Sequence, residues 1–148
     1  MATTISGYTS YKQYVHDGTI DLDRTGYLKI ALVTSAYVFN AAHTIFDNGA
    51  NNGTDPSYCE LTAGAGYTTG GVVLSSLSVN SSRFDAADAS WVALTKTFRG
   101  AVIYLNTTVN SVVKPLIAYI LFDSTPVDIV MEGGTFVIEF HANGIITF

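Results

Sequence analysis

The chain has 148 residues, 48% hydrophobic and 12% aromatic, with 7 basic against 12 acidic side chains. One domain of ordinary size is expected; the apolar content excludes a disordered chain, and Cys59, the only cysteine, excludes a disulfide scaffold. A formal charge of −5 gives phosphates nothing to condense on, so no nucleic-acid partner is expected, and the longest apolar run, residues 115–122, falls far short of the ~18 residues of a membrane span.

Charged residues make up 13%, about half the ~25% usual for soluble domains, so the surface is covered with Thr, Ser and Asn. Residues 1 to 15 lack the basic and apolar regions of a secretory leader, and none is expected. The sequons at Asn52, Asn80 and Asn106 then read as products of composition.

Residues 1–14 read as an N-terminal arm and residues 15–148 as the domain. Tyr8, Tyr11 and Tyr14 recur every third position in the arm, which has few aliphatic residues to order it. Tyrosine is enriched where one end of a side chain is dry and the other wet. The arm therefore either docks on a partner or folds over its own domain. Tyr8, Tyr11, Tyr14, Tyr37 and Phe39 are the candidate protein-interface residues.

Residues 26–35 alternate, with Leu28, Ile30 and Leu32 on one face and Tyr27, Lys29, Ala31 and Val33 on the other, which predicts a half-buried strand. Residues 37–46 show helical spacing through Val38, Ala42, Ile45 and Phe46. The tract Asp47–Asp55 is rich in oxygen ligands, but Gly49, Asn52 and Tyr58 occupy positions where an EF-hand needs an oxygen ligand, Gly and Glu. It reads as a solvated loop. Gly64–Gly71 lacks the Lys-Ser/Thr of a phosphate loop and reads as a glycine-shaped turn.

Weak strands are predicted at 57–62, 72–79 and 90–95, and central strands, apolar on both faces, at 97–105 and 114–122, joined by a polar connector at 106–113. Residues 134–140 alternate again after Gly133-Gly134, and the Asn143-Gly144 pair predicts a closing hairpin to residues 145–148. Short strands between Gly-rich turns predict an all-β fold: a single-domain antiparallel β-sandwich or jelly-roll-like barrel with long loops and at most one short helix.

No catalytic constellation emerges. His16, His43 and His141 are scattered, Cys59 has no second cysteine, and Asp85 and Asp88 before Trp91 read as turn formers rather than paired carboxylates. Trp91 reads as a core anchor, with a sugar-stacking face as the alternative. No cofactor, metal or enzymatic activity is expected.

The order Gly18-Thr19-Ile20-Asp21-Leu22-Asp23, Leu28–Thr34, Glu60-Leu61 before Gly66–Gly71, Phe84–Trp91, Ala101–Tyr104, Pro115–Tyr119, and the ending Gly134–Phe140 with Gly144–Phe148 resembles small virion proteins of tailed bacteriophages. Within that group the chain is most similar to a capsid cement, or decoration, protein; residues 36–56 depart from the common pattern. The resemblance implies a β-rich, often trimeric protein with no catalytic residues, located in the virion on the outer surface of the capsid. Its implied partners are further copies of itself and the major capsid protein. A phage tail or fibre component is the alternative it leaves open, and the residues leave a carbohydrate-binding module open as well. Deleting residues 1–14 is then expected to leave a folded domain that attaches poorly.

Overall fold

The computed structural model describes residues 3–18, 20–22, 26–80, 83–141 and 143–147. In chain order it has β1 (Thr4–Gly7), α1 (Thr9–His16), β2 (Leu28–Val33), α2 (Pro56–Cys59), β3 (Val72–Val73), β4 (Ser78–Val79) and β5 (Arg83–Asp85). Then follow β6 (Ala89–Phe98), β7 (Gly100–Leu105), β8 (Thr108–Val109), β9 (Val112–Val113), β10 (Leu116–Leu121), β11 (Ile129–Ile138) and β12 (Ile146–Thr147). The fold is all-β and antiparallel, as the patterning predicts.

The three most apolar segments pair side by side. β7 lies between β10 and β2, with Ile103 opposite Ile30 and Val102 opposite both Ala31 and Tyr119; β1 and β3 close the two edges. Because side chains alternate between faces, each central strand feeds two cores. Leu28, Ile30, Leu32, Ala101, Ile103, Leu105 and Ile120 enter a large core beneath β6 and β11, while Ala31, Val33, Val102, Tyr104, Leu116 and Tyr119 enter a smaller one on the opposite face. Residues 34–59 cover that second face through Tyr37, Phe46 and Cys59. Within the 26–35 segment, β2 is therefore buried on both faces rather than half-buried, because an irregular loop covers the second face.

β6 and β11 form a separate two-stranded ribbon, and β12, β5 and β4 a small third sheet. Phe98, Phe122 and Phe136 meet edge to face, with centroids 4.8 to 5.8 Å apart, and fasten the ribbon to the end of β10. Such pairs add about 0.5–1.5 kcal/mol each beyond their burial.

Several local expectations change. Residues 37–46 form no helix: Phe46 N–H donates to the Lys114 carbonyl and Leu116 N–H to the Thr44 carbonyl, so backbone bonds to a distant strand replace helical ones. The eight-residue helix begins in the arm and ends two residues beyond it, at His16; its three-residue tyrosine spacing lets Tyr11 and Tyr14 share a face toward the large core. Residues 57–62 include one helical turn, α2, capped by the buried Asp55, which accepts from Ser57 N–H. The 97–105 run breaks at Arg99, dividing it between β6 and β7, which lie in different sheets. Segment 72–79 likewise divides into β3 and β4.

The 106–113 connector is itself a hairpin, β8 and β9, whose Asn110 and Ser111 both adopt positive φ, the geometry that matches the twist of a tight hairpin. Gly133-Gly134 does not break the terminal strand: β11 begins at Ile129 and runs through the pair as a bulge. After the Asn143-Gly144 turn, β12 pairs with β5 instead of returning beside β11.

Candidate interaction surface

The five aromatic residues singled out in the sequence lie mainly inside the chain. Tyr8, Tyr11 and Tyr37 are 0%, 2% and 5% exposed, and Tyr14 and Phe39 are half-buried against the two cores. β1 pairs with β10 from Thr4 opposite Leu121 to Gly7 opposite Ala118, so the arm folds over its own sheet. The Tyr8 and Tyr37 hydroxyls lie 2.7 Å apart, and the Tyr37 hydroxyl lies 3.0 Å from His43 Nδ1. Phe39 stacks on Tyr119 at 5.1 Å. Burial pushes the Tyr37 hydroxyl up to about 12, the Tyr8 hydroxyl higher, and His43 below its ordinary value. All three are therefore neutral hydrogen-bonding groups at neutral pH.

A polar depression of about 330 Å³ lies on the sheet face beside α2, lined by Lys29, Asp47, Ser57, Glu60, Tyr104 and Lys114, among others. Its geometry explains the glycine-rich turn. Glu60 accepts from the Tyr67 hydroxyl at 2.6 Å and from Gly70 N–H; Tyr67 in turn accepts from Leu32 N–H, and the Tyr104 hydroxyl donates to the Gly70 carbonyl at 2.8 Å. The carboxylate thus ties the turn to the central sheet.

Burial raises the Glu60 carboxyl above its ordinary 4.5, against the opposing effects of those two bonds and of Lys29 and Lys114. With a folded-state pKa above the unfolded one, the native state binds more protons, so this group's contribution to stability declines as pH rises from about 4.5 through the raised value. Glu60→Gln keeps an acceptor for Tyr67 and removes the titration. Urea unfolding of both proteins between about pH 4 and 7 is expected to show the variant gaining on the parent as pH rises. A constant difference across that range would refute the assignment.

The other reactive groups do not converge. Cys59 is buried, its thiol donates to the Asn52 carbonyl at 3.5 Å, and burial raises its pKa. His16 ends α1, and His141 lies in the terminal turn, accepting from Asn143 N–H. Asp88 accepts from Phe140 N–H and Asp85 from Ala86 N–H. In the 47–55 tract, Asp47, Asn48 and Asn52 side chains accept from amides two residues on, as turn formers do. Trp91 is 3% exposed against Phe136, so its ring offers no open face to a sugar.

Sequence reading missed the ribbon as a surface. Along β6 and β11 the inward side chains include Trp91, Leu94, Phe98, Ile129, Met131, Phe136 and Ile138, all packed in or against the large core. The outward set includes Val92, Val130 and Val137, which are 70%, 61% and 43% exposed, among Ser90, Thr95, Thr97 and Thr135. Glu132 is the one charged residue of β11. The signal lay in the alternation of both segments, which extends past the 90–95 and 134–140 limits read from sequence.

No protein-family model matches the chain, and no curated protein or solved structure is significantly similar to it.

Proposed function

We propose that this chain is a non-enzymatic structural protein of a tailed-phage virion, a capsid cement protein that binds copies of itself and the major capsid protein on the outer head surface. The observation that carries this reading is the ribbon: two ten-residue strands that bury one face and present β-branched, nearly uncharged side chains on the other. A face with few charges, where Val92, Val130 and Val137 stand exposed among Ser and Thr, suits contact with another protein, since interface cores are depleted in charge. The family resemblance supplies the particle and the head location. A cement gains from buried apolar area at roughly 25 cal/mol per Å², less the cost of association, and repeated copies around a shell add avidity.

The test is biochemical. Purified particles are dissociated, heads and tails separated on a gradient, and the chain located by mass spectrometry. Recovery with heads, and its release by treatments that leave the shell intact, is the expected result. Recovery with tails would transfer the assignment to a tail or fibre component, and absence from both would overturn the virion reading.

A further inference from the structure

We infer that the free edge of β11 joins a second copy of this chain, strand to strand, about a twofold axis through Gly133-Gly134. β11 pairs with β6 on one side and, among the described residues, with no strand on the other. Natural edge strands are commonly protected by charges (Lys above all), Pro, a β-bulge or shortness. β11 is ten residues long and contains neither Lys nor Pro; its protection is limited to Glu132 and the bulge at the glycine pair.

Its sequence is complementary to itself. From residue 129 forward it reads Ile-Val-Met-Glu-Gly, and from residue 138 backward Ile-Val-Phe-Thr-Gly. Two copies laid antiparallel about the glycine pair therefore set Ile129 opposite Ile138, Val130 opposite Val137, Met131 opposite Phe136 and Glu132 opposite Thr135. Each apolar side chain meets an apolar one, and each Glu132 meets a threonine rather than its own like charge.

The faces also agree, because of the bulge. In an unbroken strand, residues 129 and 138 point to opposite faces, which would put a core residue against a surface one. The extra residue at the glycine pair restores the match: Ile129, Met131, Phe136 and Ile138 all face the core, while Val130 and Val137 face outward.

A mainly apolar groove of about 200 Å³ borders this strand, lined by Phe122, Phe136 and Ile138, with Thr3 and the Glu139 carboxylate as its polar members. Ile129 and Met131 of the second copy, arriving opposite Ile138 and Phe136, occupy it. An edge about 34 Å long and about 10 Å deep hides on the order of 340 Å² per copy. That is ~700 Å² in all, under the ~1,200 Å² of stable interfaces. The dimer is consequently concentration-dependent and gains persistence only where many copies are held side by side, as on a shell.

Sedimentation equilibrium of the full chain over a wide concentration range tests this. The parent is expected to fit monomer and dimer. Val130→Lys with Val137→Lys, both at exposed positions, opposes like charges at each of two symmetric pairs and is expected to weaken association by roughly tenfold or more. Val130→Lys with Val137→Glu places opposite charges across the same pairs and is expected to restore it. Unchanged thermal unfolding at low concentration shows that the variants fold. A parent that is monomeric at all concentrations, a trimer, or a dimer indifferent to both double substitutions would overturn the inference. These results concern the strand alone; location in the particle is decided separately by the head and tail separation.

Discussion

Gly71→Ala is expected to destabilise the protein by roughly 4 kcal/mol or more, enough to leave many domains largely unfolded. A Cβ there would sit 1.9 Å from the Ile30 carbonyl oxygen, 2.6 Å from its carbon and 2.7 Å from Ala31 Cα, on a backbone at φ +74°. All three atoms belong to β2, which is held between β7 and β3, so relief requires moving a central strand or displacing β3 and the turn before it from the sheet. Gly49 supplies the control. It has nearly the same φ, +71°, and a Cβ added there would meet nothing within 4 Å, so Gly49→Ala carries only the left-handed backbone penalty of about 1–2 kcal/mol. Urea midpoints of the two variants should separate clearly. Equal losses would mean that φ, and not the contact with β2, governs both sites.

Deleting residues 1–14 is expected to unfold the domain, not merely to weaken its attachments. The deletion removes β1, which pairs with β10, and most of α1. It also removes Tyr8 and Tyr11, both inside the cores at 0% and 2% exposure. Losing one large buried aromatic costs about 3–5 kcal/mol, and two such losses rival the roughly 5–15 kcal/mol stability of a whole domain. The exposed edge of β10 would then add an aggregation site. Circular dichroism and solubility of the truncated chain provide the measurement. A soluble truncation with the parent's sheet signal and cooperative melting would show that the arm is dispensable for folding. Tyr8→Phe, which removes only the hydroxyl facing Tyr37, is the mild counterpart, with an expected loss of about 1 kcal/mol.

The β-rich class was readable because period-two alternation and unbroken apolar runs are local properties. β2, β7 and β10 appear within a few residues of where their patterns place them. The candidate interface was readable only in part. Tyrosine at every third position identified the arm as unusual but not which way it faces. The same spacing serves a docking arm or a helix seated on its own sheet, and the difference depends on whether β10 leaves an edge for β1. The Val38–Phe46 spacing misled for a related reason: an irregular loop anchored at scattered points can reproduce a helical rhythm without helical bonds.

The amino-acid order by itself determined that the chain folds, that it folds as antiparallel strands, and that its glycine-rich and Asn-rich tracts turn. These follow from side-chain alternation, apolar content and backbone freedom, each set by neighbours in the chain. Tertiary structure alone decided which faces are covered, that Glu60 secures the 67–70 turn, and that β11 pairs with β6 alone among the described residues. Those outcomes depend on residues far apart in sequence meeting in space, and no local pattern encodes which partner arrives.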